Sequence, residues 1–233
     1  MKGPVPKQPP WQLTAEEIAG VVGGTLVSGE QNERFGPVSI DTRTLAAGDL
    51  FFAIRGDRFD GHDFVSGALD CGARGVVVSD RRAVPTSATA VVIIVKDTVG
   101  ALQALAQHVR SGSGARVIAI TGSTGKTSTK EIVAAMLQTR YRVVRNQGNQ
   151  NNHIGLPLSL LALLARPELA VVELGMNHVG EIARLVAIAK PDVRVWTNVG
   201  DAHVGLLGSV ERVADAKAEI CLLYTSPSPR DRG

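Results

Sequence analysis

The sequence predicts an α/β protein: a small N-terminal α/β domain, then a doubly wound parallel sheet. Three observations carry this expectation. Short apolar runs punctuated by Gly, Asp and Pro fill the first hundred residues, helical stretches alternate with near-continuous apolar strands after them, and a Ser/Gly run separates the two patterns.

The first helix is announced by Thr14-Ala15-Glu16-Glu17, a capping box leading into Ile18, Val21 and Val22 and closed by Gly23-Gly24. Apolar runs at Thr25–Val27, Val38–Ile40, Leu50–Ile54, Gly75–Val78 and Val91–Val95 read as strands, with a helical stretch near Asp63–Cys71. Asp97–Arg110 is an amphipathic helix with Val99, Leu102, Leu105, Ala106 and Val109 on one side. Ser111-Gly112-Ser113-Gly114 then reads as a linker, giving domains at 1–111 and 115–220.

In the second domain, runs at Val117–Ile120, Arg142–Val144, Leu169–Leu174 and Val193–Thr197 alternate with helical stretches near Lys126–Thr139, Ile154–Leu164, Glu181–Ala189 and Ser209–Ile220. Cys221–Gly233, reading CLLYTSPSPRDRG, breaks that helical pattern and resembles a non-native read-through tail, so 221–233 is set aside and the second domain is expected to be truncated. A truncated parallel sheet exposes an unpaired edge, which predicts poor folding.

Composition narrows the function classes. Of 233 residues, 44% are hydrophobic and 20% charged, as in globular proteins rather than disordered ones. The net charge of +3 is scattered, and five Phe, two Trp and two Tyr are too few for a base-stacking platform, so no nucleic-acid partner is expected. Two cysteines, Cys71 and Cys221, exclude a disulfide framework and a cysteine zinc site. The longest apolar run, Ala90–Val95, is far too short for a membrane span, and Met1–Pro10 lacks the apolar core of a secretory signal. A soluble, cytoplasmic protein is the expectation.

Ligands of doubly wound sheets bind outside the carboxyl ends of the strands. There the run Thr121-Gly122-Ser123-Thr124-Gly125-Lys126-Thr127-Ser128 joins strand to helix. Its glycines let backbone N–H groups turn towards phosphate oxygens, Lys126 supplies a point charge for β- and γ-phosphates and the Thr127 hydroxyl can ligate Mg²⁺. Ile120 stands where the first glycine of the longer Walker spacing would be. Glu173 ends an apolar strand, where a buried acid is either a Mg²⁺ ligand or half of a salt bridge. His203 falls on the same edge, which favours a ligand over a structural role. Lys217 shares a helical face with Val210, Val213 and Ala214, and burial lowers an ammonium pKa. A neutral amine there can take up CO₂ as a metal-binding carbamate, but spacing leaves open a lysine that snorkels outward or pairs with Glu219 or Asp215. The amide-rich loop Gly148–Pro157, with Asn151 and Asn152, suits either turn chemistry or polar substrate groups.

The strings TGSTGKTS, GNQNNHIGLP, ELGMNHVGEI, DAHVG and AKAEI, in that order across Ala15–Ile220, resemble the ATP-dependent Mur ligases of peptidoglycan synthesis. The short G-x-x-G-K-T loop is the form that family uses. The resemblance implies a UDP-binding N-terminal domain, with Asp41, Thr42 and Arg43 in the matching segment, and a P-loop ATPase domain. It implies Glu173, His203 and a carbamylated Lys217 as magnesium ligands, with Lys126 on the phosphates. The implied reaction is ADP-forming amide synthesis through an acyl phosphate. GNQNNHIG and NHVGEI favour D-alanyl-D-alanine as the amine and UDP-N-acetylmuramoyl-tripeptide as the acid. The sister reaction with a single amino acid, a nucleotide-binding switch or kinase, and a non-catalytic fragment holding only the UDP compound are the alternatives. The resemblance also suggests a monomer, and the absence of the family's third domain predicts little or no turnover by this chain.

Overall fold

Thr14 opens the first helix as its sequence predicts: its Oγ1 accepts from the Glu17 N–H at 3.3 Å, and Glu17 Oε2 accepts from the Thr14 N–H at 2.8 Å. Two of the orphan donors at the helix start are thereby satisfied, and the Ala15 and Glu16 N–H groups donate to the Glu33 and Gln31 carbonyls, which sets the start of α1 (Ala15–Val21). Gly23, at φ +64°, turns the chain out of the helix. The computed structural model describes residues 13–56 and 59–222. Residues 223–233, most of the segment set aside above, lie outside the described residues.

The chain forms two compact units that part between Val109 and Arg110. In the first, β1 (Thr25–Ser28), β2 (Val38–Ser39), β3 (Leu50–Phe52), β4 (Gly75–Val78) and β5 (Val91–Ile94) make a sheet of order β1-β5-β4-β3-β2. β1 is antiparallel to β5 and the other pairs are parallel. β3 and β4 are buried along their whole length, as strands covered on both faces must be. A 3₁₀ turn (Gly61–Phe64) leads into α2 (Val65–Asp70), whose Val65 and Ala68 pack with Phe51, Val76, Val78 and Val92.

α3 spans Thr98–Gly112 and buries Ala101, Leu102, Leu105, Ala106 and Val109, while Val99 is only half-buried. The helix absorbs Ser111 and Gly112, the first half of the expected linker. Its end is tied down: the Arg110 guanidinium donates to the carbonyls of Ala115, Ala189 and Lys190 and pairs with Asp192 at 3.0 Å, while the Ser113 hydroxyl donates to the Arg110 carbonyl.

The second unit alternates strand and helix: β6 (Arg116–Thr121), α4 (Lys126–Gln138), β7 (Val143–Arg145), α5 (Gly155–Leu160), β8 (Leu169–Glu173), α6 (Glu181–Ala189), β9 (Val193–Trp196), α7 (Val204–Leu207) and α8 (Val210–Leu222). The strands pair in parallel in the order β7-β8-β6-β9. β6, the first strand in sequence, is therefore interior, with β8 and β9 on its two sides. Ile120, Ala134 and Val171 form a core between β6, β8 and α4.

Two expectations about α8 need correction. The helix continues through Cys221 and Leu222, since neither residue breaks a helix. Its buried stripe is Val213, Ala216, Lys217 and Ile220, whereas Ala214 is half-buried and Val210 is 37% exposed. The helix is rotated relative to the expected face, and Lys217 stays on the buried side. α7 was not foreseen; four residues between Gly-rich turns are too short for a periodic signal.

Phe51→Ala is expected to cost roughly 3–5 kcal/mol, because its side chain lies in the core of the first unit, 1% exposed. Ile132→Ser, on the 60% exposed face of α4, is expected to change stability by less than about 0.5 kcal/mol. Urea denaturation followed by circular dichroism checks both.

Candidate functional site

β6 delivers the chain to the carboxyl edge of the second sheet, where Thr121 donates its hydroxyl to the Leu174 carbonyl at 3.0 Å. The turn that follows needs two glycines. Gly122 has φ +152°, and any Cβ there would collide with the Thr197 hydroxyl. Gly125 has φ +78° and precedes the first residue of α4, whose N-terminus has no side-chain cap. Uncapped N–H groups at the start of a thirteen-residue helix, together with its dipole, favour negative charge there.

The chain after β9 braces this loop. The Thr197 hydroxyl donates to the Thr124 carbonyl at 2.7 Å, Asn198 Oδ1 accepts from the Thr124 N–H at 3.0 Å, and Ser123 exchanges hydrogen bonds with Gly200. Lys126 Nζ folds back onto the Gly122 carbonyl at 2.7 Å. Ser128 opens onto solvent within the first turn of α4.

Glu173 ends β8 only 3% exposed. Its Oε2 accepts from the Thr127 hydroxyl at 2.7 Å and its Oε1 from Asn151 Nδ2 at 2.8 Å. The salt-bridge alternative is set aside, since no cation pairs with it among the described residues. Asn151 therefore reaches the carboxylate, while Asn152 does turn chemistry, its Oδ1 accepting from the Ile154 and Gly155 N–H groups at the start of α5.

His203 is half-buried, in a left-handed conformation at φ +73°. Burial, then the positive charges of Lys217 and Lys126, push its pKa below the ordinary histidine value. Lys217 is 1% exposed, and burial followed by the charge of Lys126 lowers its pKa to about 8. Neither suggested acid neutralises it. Glu219 instead accepts from the Gly180 and Ala183 N–H groups at the start of α6. The structure thus groups Lys126, His203 and Lys217 electrostatically, and Thr127, Glu173 and Asn151 by direct contact. No hydrogen bond joins Glu173 to His203 or Lys217 among the described residues.

Hard oxygen donors from Thr127 and Glu173 suit Mg²⁺, which prefers one or two carboxylates together with water and substrate phosphates. No three His, Cys, Asp or Glu side chains converge among the described residues, so those residues offer no complete cage. The donor set fits a cation that arrives with a phosphate ligand.

In the first unit, Asp41 and Arg43 follow β2. Arg43 clasps the Asp41 carboxylate through Nε at 2.9 Å and Nη2 at 2.6 Å, and this holds the Asp41 pKa below its usual value. Thr42 lies between them. A cavity of about 520 Å³ in this unit is lined by Glu30, Glu33, Asp70 and Arg74 at the opposite, amino edge of the strands, and none of the expected site residues line it.

Sequence reasoning missed buried Asn146, whose side chain bonds to the Glu173 backbone, and buried Lys130, which donates to the Asn146 carbonyl. A lysine three residues after Thr127 on the same helix was the available signal.

The chain matches two family descriptions, the Mur ligase family catalytic domain over residues 35–110 and the Mur ligase middle domain over residues 120–228. The second match runs into the segment set aside above. The chain is 45% identical over 208 residues to UDP-N-acetylmuramoyl-tripeptide–D-alanyl-D-alanine ligase of Bacillus subtilis, covering 89% of this chain and 45% of the relative. The enzyme of the same name from Escherichia coli is 41% identical with the same coverage. A crystal structure of MurF from Acinetobacter baumannii superposes with a TM-score of 0.83 at 34% identity, over 93% of this chain and 47% of that one. MurF ligase from Thermotoga maritima in complex with ADP gives a TM-score of 0.71 at 37% identity, over 79% and 42%. The chain spans about half the length of these relatives.

Lys217 makes stability depend on pH. Its folded pKa of about 8 lies below the 10.5 of a free lysine, so the folded state carries the full penalty of a buried cation below pH 8 and sheds it between 8 and 10.5. Lys217→Met is expected to stabilise the protein by up to about 2 kcal/mol at pH 7, a gain that shrinks towards zero near pH 10.5. Urea denaturation at several pH values checks the sign and the window.

Proposed function

The chain belongs to the Mur ligase family, and on that premise we propose that it supplies the UDP-muramoyl-peptide and ATP sites of an ADP-forming ligase joining D-alanyl-D-alanine to UDP-N-acetylmuramoyl-tripeptide. The observation that carries the reading is the 2.7 Å hydrogen bond from Thr127 to buried Glu173, beside the uncapped start of α4. A helix N-terminus that receives phosphate stands next to two hard oxygen donors suited to the cation of a nucleotide.

In the first step the terminal carboxylate of the tripeptide attacks the γ-phosphorus of ATP. The bond from that phosphorus to the β–γ bridging oxygen breaks, giving an acyl phosphate and ADP. Gly122, Ser123, Thr124, Gly125, Thr127 and Ser128 form the loop and first helical turn around the phosphates. Lys126 leaves the Gly122 carbonyl to hold the β- and γ-oxygens, placing positive charge where negative charge develops. Bound Mg²⁺ would neutralise phosphate oxygens as a Lewis acid, held at Thr127 and Glu173, with a second ion at Glu173, His203 and Lys217. In the second step the amine of the dipeptide attacks the acyl carbon, the C–O bond to phosphate breaks and the amine loses a proton.

Lys217 suits this second role only in a modified form. With a pKa of about 8, roughly a tenth of the amine is neutral at pH 7. The neutral amine adds CO₂ and loses a proton, turning a cation into an anionic oxygen donor. Burial and the nearby lysines lower the pKa of His203, which favours the neutral imidazole whose lone pair can meet a metal. Asp41, Thr42 and Arg43 in the domain of residues 1–111 are assigned to the UDP compound, with Asn151 and Asn152 near the acyl group.

Joining residues 1–220 to the C-terminal half of the Bacillus subtilis relative tests the assignment by phosphate release. Turnover is expected with ATP, Mg²⁺, the UDP-muramoyl tripeptide and D-alanyl-D-alanine, and Lys126→Ala is expected to lower kcat by about 10²–10³-fold. Turnover only with lysine or diaminopimelate would move the chain to the sister reaction, and phosphate release with no amine would sink the ligase reading.

A further inference from the structure

Glu173 is held by its backbone as well as by its carboxylate. β7 pairs with β8 as far as Arg145 and Val171. One residue further on, the Asn146 side chain takes over from the strand: its Oδ1 accepts from the Glu173 N–H at 3.0 Å and its Nδ2 donates to the Glu173 carbonyl at 3.1 Å. The same Nδ2 donates to the Gln150 carbonyl at 2.8 Å, which ties down the loop that carries Asn151. On the other side of β8, the next residue, Leu174, donates its N–H to the Ile120 carbonyl at 2.8 Å. The end of the strand is thus pinned from both neighbours.

Asn146 is held in turn from α4. Lys130 Nζ donates to the Asn146 carbonyl at 2.8 Å, and Lys130 is fully buried. A buried ammonium is costly, and a methionine would fill the same space without that cost. Its carboxylate neighbour Glu131, at 3.3 Å, also receives Arg145 at 2.8 Å. Lys130 stands three residues from Thr127, on the same face of α4. One helix therefore grips Glu173 twice, through Thr127 at the carboxylate and through Lys130 and Asn146 at the backbone.

We infer that Asn146 and Lys130 are positioning residues that hold the Glu173 carboxylate in register with the Thr127 hydroxyl for the divalent cation of a bound nucleotide. This rests on the nucleotide site proposed above. A side-chain clamp gives something that a continued β-ladder would not. It ends the pairing at Arg145, frees the following loop to bring Asn151 to the second carboxylate oxygen, and still fixes the strand end.

The test is calorimetric titration of the 233-residue chain with ATP, in EDTA and across a Mg²⁺ series, for the parent, Asn146→Ala, Lys130→Met and Lys130→Arg. The Mg²⁺ concentration for half-maximal tightening is expected to rise about tenfold in Asn146→Ala and Lys130→Met. Affinity in EDTA, set by the loop and Lys126, is expected to stay at the parent value, and Lys130→Arg to recover most of the Mg²⁺ response. Equal loss of affinity with and without Mg²⁺, no change in either, or unfolding of both variants by circular dichroism would overturn the positioning role while leaving the nucleotide site standing. A parent that binds no ATP under any condition would overturn the nucleotide reading and this inference together.

Discussion

A carboxylate buried at the end of a parallel strand is the constraint around which the second unit is organised. Glu173 is almost inaccessible to water, and no arginine or lysine neutralises it among the described residues. An unpaired buried charge is tolerated only where hydrogen bonds replace its hydration. Those to a charged group contribute about 1.5–3 kcal/mol each, so Thr127 and Asn151 together offset a large part of the cost. The demand reaches into three elements: α4 must start where Thr127 faces β8, β7 must end early, and the loop after it must turn back to the sheet.

The glycine loop before α4 answers to a second constraint, close approach. Gly122 lies against Thr197 with no room for a side chain, and the polar groups after β9 occupy the carbonyls and N–H groups on the far side of the loop. The donors at the start of α4 are left facing outward. The segment after β9 thus braces the loop from behind. After burial, the charge of Lys126 lowers the pKa of Lys217 and of His203, and Lys217 adds to the effect on His203; the same crowding favours whatever anion enters.

The first unit shows the same economy in a simpler form. Its buried His62 donates or accepts at both ring nitrogens, to Asp60 at 2.6 Å and with the Ser79 N–H at 2.9 Å, so the loop after β3 is fastened to the end of β4. Asp60 also receives Arg55 and is held at a pKa of about 2, its hydrogen bond from the His62 N–H being the largest cause. Loops at the carboxyl edge of this sheet are shaped by short charged contacts, Asp41 with Arg43 among them.

Periodicity and local chemistry were legible in the sequence. The capping box at Thr14, the amphipathic pattern of Asp97–Arg110, the alternation that builds the parallel sheet and the glycine pattern around Lys126 all depend on neighbours a few residues away, which a linear reading captures. Glu173 and Lys217 stood out because a charge within an apolar pattern is a local anomaly. What tertiary structure alone decided is which groups answer those charges. Thr127 meets Glu173 across 46 positions, Asn146 across 27 and Lys130 through Asn146, while Glu219 leaves Lys217 for the start of α6. The rotation of α8 that exposes Val210 is of the same kind. Hydrogen bonds act over about 3 Å in space whatever the separation along the chain, so partners are chosen only when the sheet has brought its strand ends together.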